Sequence, residues 1–492
     1  MNKTLMNHDL NNIDIGGKYP YLLQKESETY IFNNMKEFIG TDFLKKPKLD
    51  IPSVYSMLSF GYIIGDESLV KGVTRLPWMS KIKDDGEITH YDFENYNKIT
   101  LNNESISELL LLTLENELRR KITNKRNIYI LLSGGMDSRV VAAVIKKLER
   151  NNEFEGKVHG VTWGRKESRD VVYAQNICSR YGWEWHYAPL DANYLLKNFN
   201  VAGIELNAEI SPVHVHRYTW FQHLTQEDIV IAGSYGDSIG RGEYSSVKVA
   251  RLKPLKPNDK YEFLRNELIK DSRKELNLRL KKFRNRYPTA TNKQLNEYER
   301  QAHYMRRMLG NVANIINQWT NFYQAFTSYE TAQLMLSLRY ELRTNDIYVT
   351  LLEKVDRDML NINWARTGIE YGSNNLRVQD DYFKNHHNYG KWLRIDNRDF
   401  IREKIFDGNL SNLKIFDMNH LSIMFDYWVK EPSNIHSGLG DKLSWLAVLS
   451  IFITQYSIKS EVKFNATQKK DLRKLKSRLR EKLYISYKSL NK

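Results

Sequence analysis

Six residues, Ser133-Gly134-Gly135-Met136-Asp137-Ser138, constrain this chain more than any other stretch. They follow an apolar, β-rich run, Asn127 to Leu132, and precede a segment of helical periodicity, Arg139 to Leu148. Small residues at such a turn let backbone N–H groups approach an oxyanion closely, and the helix N-terminus adds its positive dipole end. Ser133 and Ser138 supply hydroxyl donors. Asp137 cannot face phosphate as a bare carboxylate, so it fits as a ligand of Mg²⁺ turned toward the phosphates. No GK[ST] follows, which excludes a Walker A loop. The plainer alternative is a strand-to-helix turn capped by Asp137 or Ser138.

The same strand-then-helix rhythm recurs. Lys157 to Trp163 reads as a strand before the helix Asp170 to Tyr181, and Asp228 to Ala232 as a strand before glycine. Such alternation with short connections implies an α/β fold, a parallel sheet covered by helices on both faces. Before residue 120 the spacing predicts short strands at Met57 to Ile64 and, after Asp84-Asp85-Gly86, at Glu87 to Tyr91. An amphipathic helix starts near 105, and beyond 255 the chain reads as mostly helical.

The net charge of +15 suggests a polyanion partner until it is divided along the chain. Residues 251–310 carry 17 basic and 7 acidic side chains, residues 468–492 carry 10 and 2, and the rest sums to −3. The basic helices on either side of Pro288 read as solvated faces. In the tail, Leu472, Leu475, Leu479 and Leu483 form one apolar stripe, predicting a basic helix docked by its leucines. The lone cysteine, Cys178, excludes internal disulfides and cysteine-based zinc clusters. The first residues lack a signal-peptide pattern, and the longest apolar run, Trp445 to Ile453, is too short to span a bilayer. A soluble, cytoplasmic protein is expected.

The hexapeptide resembles the PP-loop of the ATP pyrophosphatase superfamily, whose members split ATP between its α- and β-phosphates. Three further segments resemble the asparagine synthetase branch, which includes β-lactam synthetases and lasso-peptide cyclases. Gly164, Ser168-Arg169-Asp170, Ala174, Gly182 and His186 are similar to that family's G…SPD…A…G…H pattern, with Arg169 replacing proline. Ala232-Gly233-Ser234-Tyr235-Gly236-Asp237 is similar to its SGEGSDE segment, and Leu58 to Asp66 with Gly72 to Pro77 to the end of its glutaminase domain. The resemblance implies that ATP is bound by Leu132, Ser133, Gly134, Gly135, Asp137, Ser138, Thr162, Trp163, Gly164, Ala232 and Gly233. Thr162-Trp163-Gly164 would lie at the adenine, and Asp137 with Asp237 would hold Mg²⁺. The implied catalytic residues are a C-terminal lysine, Lys430 first and Lys442 second, with Tyr235 as a base and Glu330 as an amine-binding carboxylate.

The implied organisation is a shortened, inactive glutaminase-like domain over 1–120, a PP-loop ATP-binding domain over 121–255, a helical part of the synthetase domain over 256–465 and a basic helix over 466–492. Position 2 holds Asn2 where glutamine-dependent enzymes carry their nucleophilic cysteine, so no glutamine hydrolysis is expected. Ser234-Tyr235 and the segment Gln324 to Glu330 depart from the family, which argues against free aspartate as substrate. The expected activity is ATP-dependent amide formation: a small-molecule or peptide carboxylate is adenylated with release of pyrophosphate, and an amine or ammonia displaces AMP. A separate amidase, a carrier protein and self-association are the partners this reading admits; nucleic acid and membrane are not. The competing readings are a PP-loop tRNA-modifying enzyme and a nucleotide-binding partner that has lost turnover. The adjacent His386 and His387 read as loop histidines, and His214 and His216 as packed or hydrogen-bonded ones.

Overall fold

The computed structural model describes residues 15–16, 19–25, 28–83, 86–372, 380–431, 435–462, 479, 481–483 and 485–486; Asn2 lies outside them. The first 120 residues contribute a three-stranded antiparallel sheet of β1 (Tyr21–Lys25), β2 (Glu28–Phe32) and β3 (Val73–Arg75), in the order β2-β1-β3, and a hairpin of β4 (Ser80–Ile82) and β5 (Ile88–His90). Met57 to Phe60, predicted as strand, belong instead to the helix Ile51–Phe60. Asp50 caps it by accepting from the Ser53 amide, Pro52 suits the first turn, and Gly61 ends it at φ 85. A short apolar run does not by itself distinguish strand from buried helix; here the caps do.

The centre is a five-stranded parallel sheet in the order β12-β9-β6-β7-β8. Its strands are β6 (Asn127–Leu131), β7 (Lys157–Gly164), β8 (Glu184–Pro189), β9 (Asp228–Ala232) and β12 (Asn321–Gln324); a two-stranded ribbon, β10 (Glu243–Tyr244) and β11 (Val247–Lys248), stands apart. Alternation along β6 sends Ile128 and Ile130 into one core and Tyr129 into the other, so the sheet separates two apolar layers. The helix Asn103–Ile122 turns Ile106, Leu110, Leu114 and Leu118 onto one face, all at 0% exposure. Each such burial contributes about 1.5–3 kcal/mol, which holds this helix against Met136–Arg150, Tyr329–Ser337 and Asn345–Asp356, the first of which packs on β6. Beyond 255 the chain is mainly helical, with long helices at Asn266–Arg284 and Gly438–Gln455. Among the described residues no helix is long and apolar enough to cross a membrane.

The helices flanking Pro288 meet their reading as solvated faces only in part: Lys281, Lys282 and Lys293 are exposed, but three arginines of the segment turn inward. Arg279, Arg306 and Arg307 are buried, and Arg279 pairs with Asp50 at 3.0 Å while Arg307 pairs with Glu209 at 3.2 Å. Their charge is used inside the fold. In the tail, Leu472 and Leu475 lie outside the described residues, and Leu479 and Leu483 are exposed rather than docked. Contact is made by the next face round: Ile485 and Glu481 are buried, and Glu481 accepts from the Tyr261 hydroxyl at 2.6 Å.

Candidate functional site

A cleft of about 310 Å³ opens at the C-terminal ends of β6, β7 and β9. Parallel α/β sheets present their strand-to-helix turns at this end. Leu132, Ser133, Asp137 and Ser138 line it from the first turn, Thr162 and Trp163 from β7, and Ala232, Gly233 and Ser234 from β9. The helix Met136–Arg150 begins after Gly135 without a side-chain cap, so neither Asp137 nor Ser138 takes that role.

The turn's donors already hold oxygens. The Gly135 amide donates to Ser133 Oγ at 3.2 Å, the Ser133 amide to Ser138 Oγ at 3.2 Å, and the Gly134 amide to Asp170 Oδ1 at 3.1 Å. Gly134 must be glycine, because an added Cβ would come within 2.7 Å of both Ala365 and Tyr173. Gly134, Gly135 and Gly164 shape the turns without lining the cleft. Beneath the turn, the buried Arg139 guanidinium donates to the carbonyls of Met359, Ile362, Asn363 and Gly134, pinning the 359–363 segment to it.

The expected adenine wall is aromatic. Trp163 stacks on His216 at 5.5 Å and 17°, and Tyr218 meets it edge-on at 5.1 Å. Asp170, Tyr218 and His386 complete the lining. His386 arrives from far along the chain: the Arg165 amide donates to its carbonyl at 2.8 Å. Arg169, the residue in place of proline, holds the same segment through Asp380 at 2.9 Å. Only Asp170 carries a local signal, its place after Ser168-Arg169; Tyr218, at the start of a short helix, and His386, in a loop, belong to no motif.

Asp137 and Asp237 come together behind the turn. Burial pushes the Asp137 carboxyl up, and the Arg241 charge pulls it back. Arg241 binds both of its oxygens, at 2.9 and 2.7 Å, the geometry of an ionised carboxylate. Burial and the neighbouring charge of Asp137 push the Asp237 carboxyl up to about 7. Among the described residues its Oδ1 has no hydrogen-bond partner, and neither do Thr162 Oγ1 or His386 Nε2. Three orphaned polar atoms in and beside one cleft mark groups that a ligand would satisfy.

The remaining candidates separate. Lys430 is exposed on the last turn of the helix Met418–Lys430 and does not line the cleft. Lys442 is partly buried, donates to the Met57 carbonyl at 2.6 Å, and is pushed down to about 8 by burial. It borders a second cavity of about 460 Å³ with Tyr261 and Glu481. A run of rings leads toward it: His216 to His386 at 5.7 Å, His386 to His387 at 4.8 Å, and His387 to His436 at 6.2 Å, with His436 on Asp441 at 2.7 Å. Tyr235 is fully buried in the apolar core against Gly16 and does not line the cleft. Glu330 lies on the helix Tyr329–Ser337 and pairs with Arg120 at 3.3 Å, also outside the lining.

A sequence model of asparagine synthase matches residues 110–356, half of the chain, and takes in the turn, all five strands and Asp237. The chain belongs to the asparagine synthase family. Among curated relatives, the glutamine-hydrolyzing asparagine synthetase of Gallus gallus is 24% identical over 149 residues, 28% of this chain and 26% of that protein. That of Bos taurus is 28% identical over 83 residues, 17% and 15% of the two chains. The alignments thus span about a quarter or less of these relatives' length. Solved structures similar in part are an NMN synthetase from Francisella tularensis (TM-score 0.21, 14% identity, covering 44% of this chain and 94% of that one) and the U34-tRNA thiolase NcsA from Methanococcus maripaludis (0.22, 14%, 59% and 95%). As an asparagine synthase family member the protein has an α/β architecture with a helical C-terminal part and a small β-rich N-terminal part.

Proposed function

We propose that the chain is an ATP-dependent amide synthetase: it adenylates a carboxylate, releases pyrophosphate and transfers the acyl group to an amine or ammonia. The observation that carries this reading is the cleft itself, where a capless helix start, a glycine turn and an aromatic wall meet beside paired carboxylates. Family membership favours it over tRNA modification. Pyrophosphate would take the amides of Gly134 and Gly135 and the hydroxyls of Ser133 and Ser138, displacing the protein oxygens they now hold. The base would lie between Trp163 and the Thr162 hydroxyl.

Mg²⁺ suits the donor set, since Asp237 Oδ1 is a buried, unpartnered hard oxygen beside Asp137. When bound, the ion supplies positive charge against the phosphates, with Asp137 and Asp237 as its protein ligands. Arg241 keeps Asp137 ionised and oriented. We assign the lysine role to Lys442 rather than Lys430. With its ammonium pushed down to about 8, Lys442 could stabilise negative charge as the carboxylate attacks and exchange a proton as the amine arrives. Cys178, buried and pushed up to about 12, offers no nucleophile, so the nitrogen is read as entering with the second substrate. The ring-lined path from His386 to Asp441 is our candidate route for the acceptor, which would be uncharged or aromatic where it meets those imidazoles.

The test is pyrophosphate release from ATP and Mg²⁺ with a panel of carboxylates and amines, followed by mass spectrometry of the products. Release that depends on one carboxylate, with AMP and an amide formed in equal amounts, is the expected outcome. ATP binding without release under any pairing would sink the proposal.

A further inference from the structure

The central sheet carries a second group of chemistry-bearing side chains near the N-terminal ends of β7 and β8, away from the cleft. Register puts them on one face. His159 lies opposite Glu184 and Val161 opposite His186, so His159, Glu184 and His186 project to the same side of two adjacent strands. His159 Nδ1 is 3.1 Å from His186 Nε2 and 3.4 Å from one Glu184 oxygen, and His186 Nε2 is 3.6 Å from the other. A tetrahedral ion with bonds of about 2.0–2.1 Å separates its ligands by about 3.3 Å. The three separations bracket that value.

The surroundings orient the ligands. Asn127 Nδ2 donates to Asp228 Oδ1 at 2.7 Å, which fixes the amide and turns Asn127 Oδ1 toward His159 Nε2 at 3.4 Å. Nε2 therefore carries the proton, and Nδ1 presents its lone pair to the cluster. Holding the far ring nitrogen in this way is what metal-binding histidines need from their neighbours. Tyr129 stacks on His159 at 4.7 Å and Trp220 covers His186 at 5.3 Å, giving an apolar collar on the protein side. Glu184 is 64% exposed, so a fourth ligand can come from water.

We propose that His159, His186 and Glu184 form a binding site for one divalent transition-metal ion of the zinc type, distinct from the carboxylate pair behind the glycine turn. Two imidazoles and one carboxylate suit zinc and its first-row neighbours, whereas the all-oxygen pair suits Mg²⁺. The ion would tie edge strand β8 to β7 and fix the His186 ring against Trp220. Trp220 belongs to the same short helix, Tyr218–His223, that carries Tyr218 into the cleft. Trp163, four residues beyond His159 on the same face of β7, lies about 13 Å along the strand. The site is therefore placed to brace the aromatic wall.

The test uses full-length protein freed of any histidine tag and stripped with chelator, then titrated with Zn²⁺ alone by calorimetry and with Co²⁺ alone by visible absorption. One equivalent of zinc and an intense four-coordinate cobalt spectrum are expected. His186→Ala should abolish both, and Glu184→Gln and Asn127→Ala should each weaken binding by about 10–100-fold. The cobalt spectrum of unaltered protein does not depend on whether a variant folds. Absence of saturable binding, or binding that survives His159→Ala with His186→Ala, would overturn the proposal; so would zinc that disappears only in Asp237→Asn.

Discussion

Around Glu209, two guanidiniums serve one carboxylate, whereas around Arg241 one guanidinium faces two carboxylates, Asp137 and Asp237. The two clusters use the same kinds of side chain with opposite balance. Arg75 donates to Glu209 at 3.2 and 3.0 Å, Arg307 adds a third bond at 3.2 Å, and Tyr21 donates to the other oxygen at 3.3 Å. All three charged side chains are at most 1% exposed. At Arg241 the guanidinium is taken up by Asp137, and Asp237 is left with an unpartnered oxygen. A buried carboxylate whose two oxygens are both held by donors, like Glu209, holds a fold together; one left with an unpartnered buried oxygen, like Asp237, is a place for a counter-ion or substrate.

Changes at each cluster would break or sharpen that contrast. The largest effect on stability is expected at Glu209. Glu209→Gln leaves two buried guanidiniums without their carboxylate and should cost about 3–5 kcal/mol in urea unfolding; a loss under about 1 kcal/mol would contradict the structural role. Asp137→Ala should lower pyrophosphate release by about 10²–10³-fold while circular dichroism stays unchanged. Undiminished release would remove Asp137 from the site.

Next comes pH. Lys442, held near 8, is protonated below that value, so release that needs its charge should fall about tenfold per unit above pH 8. Lys442→Arg should abolish that fall, and a profile identical to the unaltered protein would exclude Lys442. Asp237→Asn should stabilise the ligand-free protein at pH 8 by about 1–2 kcal/mol. The sign follows from its raised carboxyl, near 7 against an ordinary value of 3.8. Between those values the folded state binds more proton than the unfolded one, so stability falls as pH rises, and asparagine mimics the protonated form. The gain should vanish below pH 4, which thermal melts at both pH values would check. The smallest effect is expected at the exposed Lys430: Lys430→Ala should leave release within twofold, and a larger loss would restore it as the catalytic candidate.

What the sequence makes legible follows its chemistry. The turn, β6, β7 and β9 are readable because glycines, serines and aspartates sit at fixed places beside continuous apolar runs. β8 is not, since Glu184, His186 and Tyr187 interrupt its apolar pattern at the sheet edge. β12 is four residues long and takes its place only by pairing with β9, Asn321 opposite Ile229 and so 92 positions away in sequence. Within the cleft, residues contributed by the turn itself can be named in advance. Tyr218 and His386 cannot, because their positions depend on long-range packing and on carbonyl contacts such as that from Arg165. Of the histidine pair at 386–387, read as ordinary loop residues, His386 supplies part of the wall.

Arg75 lies on β3, within the small N-terminal sheet, whereas Glu209 and Arg307 belong to the rest of the molecule. Separating the two parts would take away Arg75, the Tyr19 carbonyl to which it donates and the Tyr21 hydroxyl together, and strand Glu209 with a single guanidinium. The N-terminal sheet and the part of the chain that carries the central parallel sheet therefore share one ionic keystone around Glu209, and the packing of one is not energetically independent of the other.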